Sequence, residues 1–235
     1  METKGKVVGI ESYFVKGRLD AHLIRVKANL EFQPGQYVMV AEEGFRLKAD
    51  PSQLKWTSYS IASSPLEKGY LDFVYTIKYT GGFTQYLAEN LAVGSHLLLK
   101  GPYGRFTLQE NGREKVFVAT GAGIAPIMSM IRTLDRQGFP RPARLFYGFR
   151  TGEHFLCRRE LEAISSGNFG LFTTISREDP SWKGHRGYVQ SLLGGEFRPG
   201  EQEVYICGNP EMVRDVKKFF LGKGFAEENV KVEQW

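Results

Sequence analysis

Apolar residues in the first half of the chain recur in short runs separated by turn-forming residues. KVVGIESYFV (6–15), AHLIRVKA (21–28) and QYVMVAE (36–42) carry β-favouring residues, and FQPGQ (32–36) divides two of these runs as a turn. SYSIAS (58–63), YLDFVYTIKY (70–79) and HLLLKGPYGRFTL (96–108) continue the series. Before residue 110 only TQYLAENLA (84–92) has a helical pattern, and Thr84 is placed to act as its N-cap. Several short strands with a lone helix predict a small closed antiparallel β-barrel.

The period changes in the second half. KVFVAT (115–120), ARLFYGFR (143–150), FGLFTTISR (169–177) and EVYICG (203–208) read as apolar strands. They alternate with helical patterns at 127–138, 154–166, 187–195 and 210–225. In the last of these Met212, Val213, Val216, Phe219 and Phe220 line one face. Strands alternating with helices predict an α/β domain with a doubly wound parallel sheet. The polar stretch QENGREK (109–115) marks the boundary, giving domains 1–110 and 111–235.

Composition narrows the classes. A chain of 235 residues holds one large domain or two ordinary ones. It has no run of 18 apolar residues, and METKGKVVGIESYF lacks the apolar core of a signal peptide, so a cytoplasmic protein without a membrane span is expected. Two cysteines, Cys157 and Cys207, are too few for a disulfide scaffold or an all-cysteine iron–sulfur cluster. The four histidines form no recognisable ligand cluster, and no metal is expected. The net charge of +5 is spread evenly, with 13 basic and 11 acidic residues to position 110 and 18 and 15 beyond it. Such a spread does not suit nucleic acid but suits an acidic protein partner.

Candidate chemistry lies at the turns. In VFVATGAGIAP, Thr120, Gly121 and Gly123 fall between a strand and a helix, where backbone amides can approach a diphosphate; a purely structural turn is the other reading. TGGFTQYL offers a second Gly-rich helix entry. Cys207 ends a parallel strand and is either an inert buried thiol or part of a pocket wall. Arg150 and Arg177 end two neighbouring strands and form a candidate phosphate pair. In TSYSIASS, Tyr59 with Ser58, Ser60, Ser63 and Ser64 would suit a planar heterocycle and its polar edge. The terminal Trp235 either docks in a groove or belongs to a site.

Taken in order, these motifs resemble the ferredoxin–NADP⁺ reductase superfamily over nearly the full length. SYSIASSP is similar to the flavin motif of the plant-type enzymes, implying that Tyr59 packs on the isoalloxazine and Ser60 bonds near flavin N5. YTIKY implicates Thr76, Ile77 and Lys78 in holding the ribityl and adenylate portions, and GGFT places Gly82, Phe83 and Thr84 at the flavin diphosphate. GPYG (101–104) matches the closing motif of the flavin barrel. GAGIAP and CGNPEM match the nicotinamide motifs, which implicates Cys207, Gly208 and Met212. The family's flavin arginine is replaced by Thr57, which brings no charge; Lys55 or Lys78 is the candidate substitute.

The resemblance implies FAD and NADPH as cofactors, with NADH as the other possibility. Ser176, Arg177, Arg186 and Tyr188 match positions that bind the adenosine 2′-phosphate and stack on adenine, and Arg150 could add to them. The implied reaction moves a hydride between NADPH and FAD, then single electrons to ferredoxin or flavodoxin. An NAD(P)H-dependent flavin or oxygenase reductase, or the electron-transfer subunit of a larger complex, is the alternative. Glu233 and Trp235 match the family's Glu-x-aromatic end, implying a proton relay and a cover over the flavin. Ser60, Cys207, Glu233 and Trp235 are thus the expected catalytic set.

Overall fold

The computed structural model describes residues 2–48 and 50–234. The first half is a six-stranded antiparallel sheet. It contains β1 (Glu2–Val15), β2 (Arg18–Lys27), β3 (Tyr37–Ala41), β4 (Thr57–Ser60) and β5 (Tyr70–Thr76); after helix α1 (Phe83–Asn90) comes β6 (His96–Tyr103). The strand order is β4-β3-β6-β1-β2-β5. β1 starts earlier than its apolar run: Glu2–Lys6 pair with β6 before the rest of the strand pairs with β2. Lys16 and Gly17, both at positive φ, turn β1 into β2. The two end strands approach through one bridge, Ile61 to Phe73, and closure into the expected barrel is limited to that bridge.

The second half is a six-stranded parallel sheet. Its elements are β7 (Glu114–Thr120), α2 (Ile124–Arg136), β8 (Ala143–Phe149), α3 (Arg158–Ala163), β9 (Phe169–Ile175), β10 (His185–Arg186), β11 (Gln202–Gly208), α4 (Pro210–Gly222) and β12 (Val230–Gln234). The order β10-β9-β8-β7-β11-β12 makes it doubly wound, with the reversal between β7 and β11. Alternate residues of β7 serve different layers. Phe117 and Ala119 join Ile124, Ile127, Met128 and Ile131 of α2. Val116 and Val118 join Met212, Val213, Val216 and Phe220 of α4, with Phe219 only partly buried. Burial on both faces explains the unbroken apolar runs of β7 and β11.

Several expected elements differ. The helical pattern at 154–166 yields only α3, and that at 187–195 yields one 3₁₀ turn, Val189–Leu192. Thr84 does not cap α1: the N-cap is Gly82, and the Thr84 hydroxyl accepts the Lys78 amide at 3.0 Å. The segment joining the sheets is held by buried polar bonds. Tyr205 Oη accepts the Gln109 amide and donates to Glu203, which also pairs with Lys115 at 2.9 Å. Among the described residues no helix is long and apolar enough to cross a membrane.

Candidate active site

A cavity of about 700 Å³ opens where the carboxyl ends of β7, β8 and β9 and the start of α4 face the end of β5. Open parallel sheets bind ligands at this reversal point. From the antiparallel half come Thr76, Ile77, Lys78 and Asp20. From the parallel half come Thr120, Gly121, Arg150, His154, Ser176, Tyr188 and Met212, among others. Nine of the residues expected from sequence therefore share one cavity.

The turn after β7 is shaped by close backbone approach. A Cβ on Gly123 would fall inside the van der Waals envelope of the Cys207 carbonyl, and one on Gly208 would strike Thr120. Gly121 takes φ +54°, a left-handed conformation that glycine tolerates without strain. Tyr147 Oη donates to the Gly121 carbonyl, and Thr120 Oγ1 accepts the Asn209 amide, so the turn is tied to β8 and β11. No side chain caps the 3₁₀ turn Gly121–Gly123 or helix α1. α4 differs, because Asn209 Oδ1 accepts from the amides of Glu211 and Met212.

The arginines divide. The Arg177 amide donates to the Arg150 carbonyl, which sets these two residues side by side at adjacent strand ends. Arg186 does not join them: its guanidinium donates to the carbonyls of Asp179 and Trp182 and stays with its own loop. Tyr188 stands at the cavity with 74% of its surface exposed. His154 lies against Thr151, and burial lowers its pKa below the ordinary imidazole value; Asp20 opposes that shift and Arg150 adds to it.

The flavin-motif residues lie in the core of the antiparallel half. Tyr59 is buried with its ring edge-on to Phe73, Tyr75 and Phe83. Ser63 and Ser64 are engaged within the protein. Both are fully buried, Ser63 accepting the Asp72 amide and Ser64 bonding Thr133 of α2. Thr57 is half-buried opposite Val40; of its two candidate substitutes Lys78 lines the cavity and Lys55 does not. Phe83 packs in the core of the antiparallel half. Trp235 lies outside the described residues.

Among the described residues, four buried polar atoms lack a hydrogen-bond partner: Tyr59 Oη, Ser60 Oγ, Tyr75 Oη and Glu233 Oε2. Buried polar groups are ordinarily paired; the Tyr59 and Tyr75 rings lie 5.3 Å apart with Ser60 next along β4, and their three orphaned hydroxyls fit a bound heterocycle with polar edges. Glu233 stands beside Cys207 in the β11–β12 ladder, and burial pushes its carboxyl up to about 7. Sequence reasoning missed Asp20, His154, Gln190, Glu211 and Asp215, which also line the cavity. It could have found Asn209, since Asn before Pro at a helix start is a capping signal.

Comparison with known proteins places this geometry. Residues 18–108 match the oxidoreductase FAD-binding domain family, and residues 117–218 the oxidoreductase NAD-binding domain family. Ferredoxin–NADP reductase B of Sorangium cellulosum is 34% identical over 216 residues, covering 87% of this chain and 85% of the relative. The chain belongs to the FAD- and NAD(P)-binding oxidoreductases of the ferredoxin-reductase-like superfamily.

Its other relatives widen the range of roles. The oxidoreductase is 28% identical over 209 residues to the anthranilate 1,2-dioxygenase electron transfer component of Acinetobacter baylyi, covering 88% of this chain and 59% of the relative. It is 32% identical over 206 residues to the xylene/toluene monooxygenase electron transfer component of Pseudomonas putida, covering 86% of this chain and 57% of the relative. The chain thus spans less than two thirds of either component. Its fold matches a ferredoxin NADP⁺ reductase from Neisseria gonorrhoeae with a TM-score of 0.82 at 20% identity, covering 99% of this chain and 98% of that one. The chain carries one FAD-binding and one NAD(P)-binding oxidoreductase domain.

Proposed function

We propose that this oxidoreductase is the reductase unit of an oxygenase-type system, drawing electrons from NADPH or NADH and passing them singly to an acidic protein partner. The carrying observation is the shared cavity, whose walls include both the β7–α2 turn and the Thr76–Lys78 strand end. Bound together, FAD and a reduced nicotinamide supply acceptance of a hydride, two electrons with one proton, and release of the electrons one at a time.

The chain's residues bind, orient and shield. The uncapped amides at Gly82–Thr84 and Gly121–Gly123 serve the two diphosphates, and the Lys78 ammonium supplies part of the charge that Thr57 lacks. Tyr59, Ser60 and Tyr75 give their unpartnered hydroxyls to the flavin. Arg150, Ser176 and Arg177 hold the adenosine end, with Tyr188 as a stacking surface, and on this account NADPH is preferred. Cys207, Gly208 and Met212 shape the wall at the ends of the central strands. Glu233, its carboxyl pushed up to about 7 by burial, exchanges a proton at Oε2 near neutral pH.

A second reading, ferredoxin–NADP reductase, is favoured by the Sorangium relative, which the chain covers over 85% of its length. Turnover with NADPH and NADH, offered an oxygenase-type iron–sulfur protein, a ferredoxin, a flavodoxin and free flavin in turn, tests the proposal. Fastest reduction of the oxygenase-type protein supports the main reading. Fastest reduction of ferredoxin or flavodoxin supports the second, and activity with free flavin alone contradicts both.

A further inference from the structure

One face of α2 grips the antiparallel half through groups that no cofactor role uses. Ser129 Oγ donates to the Ser63 carbonyl at 2.6 Å, and Thr133 Oγ1 lies 2.9 Å from Ser64 Oγ. Arg132 holds three acceptors. One guanidinium nitrogen donates to both the Ala62 carbonyl and Asp72 Oδ2 at 3.0 Å, while the other two make a bidentate pair with Glu160 of α3 at 2.6 Å. Asp72 is 1% exposed and also receives a bidentate pair from Arg25. The gripped segment, Ala62–Ser64, directly follows β4, whose last residue is Ser60 with its unpartnered hydroxyl.

The other end of α2 is fixed as firmly. The helix begins at Ile124, immediately after Gly123, which packs against the backbone of Cys207 and Gly208. From Gly123 to Arg132 is about 13 Å of helix at ~1.5 Å per residue. One rigid element therefore links the turn at the nicotinamide-side strand ends to the strand carrying Ser60. A planar guanidinium serves this junction because it can meet a carbonyl and two carboxylates in a fixed geometry; a lysine offers a point charge.

We propose that Arg132 is a positioning residue for electron transfer, setting where β4 and Ser60 stand relative to the Gly121–Gly123 turn. The inference rests on the flavin and nicotinamide reading above. It assigns Arg132 no contact with either cofactor. Its loss leaves Asp72 paired with Arg25, so each half keeps its own core while the junction between them loosens.

The test is Arg132→Met, with Arg132→Lys beside it, in the full chain loaded with FAD. The limiting rate of flavin reduction by NADPH in rapid mixing should fall roughly 10- to 100-fold, since displacement by about 1 Å can cost that much. Flavin affinity and the nicotinamide dissociation constant should be retained, and Arg132→Lys should fall between. Flavin-free Arg132→Met should show faster amide exchange at Asp72 and Ala62, with exchange elsewhere in β5 unchanged. An unchanged limiting rate, or flavin affinity lost in proportion to rate, overturns the proposal. Should Arg132→Met not fold, Thr133→Val removes the junction contact to Ser64, together with the hydroxyl's bond to the Ser129 carbonyl within α2, and is judged by the same two outcomes. Failure of the unsubstituted protein to be reduced would overturn the functional reading instead.

Discussion

Cys207 and Glu233 stand side by side in register on parallel strands β11 and β12, with one carboxylate oxygen of Glu233 buried and unpartnered. The parallel ladder brings the last strand against the end of the strand that bears CGNPEM. Burial is the whole cause of the raised Glu233 pKa, from 4.5 to about 7.

That shift makes stability depend on pH. The folded state binds more protons than the unfolded chain between pH 4.5 and about 7. The contribution is fully present below the unfolded value and is lost as pH rises through the folded value, by up to roughly 3 kcal/mol. Glu233→Gln should abolish this part of the dependence. Urea unfolding at pH 5 and pH 8 in flavin-free protein measures it; an unchanged difference between the two pH values would contradict the account.

The orphaned hydroxyls set stability against binding. Ser60→Ala and Tyr75→Phe each remove a buried group without a partner, and each should raise flavin-free stability by about 1 kcal/mol. The same variants should bind flavin more weakly. Denaturation midpoints and flavin titration check the pair of effects, and lower stability in both variants would show that the hydroxyls are not orphans.

Gly123 has no room for a side chain because its neighbours are backbone atoms of Cys207 and Gly208, which cannot rotate away. Gly123→Ala should cost on the order of 1–3 kcal/mol through overpacking. Thermal unfolding reads this directly. Gly82, whose only neighbour is the flexible Thr80 hydroxyl at 3.9 Å, should accept the same change with little loss.

The alternation of apolar strands and helices made the parallel half legible, since burial on both faces of β7 and β11 leaves continuous apolar runs. β12 was not legible, because VKVEQ alternates weakly and pairs only with the strand beside it. Ser63 and Ser64 misled for a physical reason. Polar residues beside a flavin motif look like ligand contacts, whereas here they serve the junction with α2, a long-range pairing that local sequence cannot reveal. Arg186 is a similar case, since whether an arginine faces a cavity or its own loop depends on the carbonyls the loop turns toward it.

The division among the arginines predicts selectivity. Arg177→Ala should reduce the preference for NADPH over NADH by about tenfold or more, as a charge-assisted contact to a phosphate is lost. Arg186→Ala should leave that ratio nearly unchanged. The ratio of kcat/KM for the two nicotinamides decides, and the reverse pattern would move the phosphate site to the loop at 178–186.

The central claim is that one cavity joins a flavin and a nicotinamide. Anaerobic rapid mixing of the FAD-loaded protein with NADPH, and separately with NADH, tests it most directly. Bleaching of the flavin absorbance at a rate that saturates with nicotinamide concentration is the predicted result; flavin that stays oxidised with both nicotinamides would contradict it.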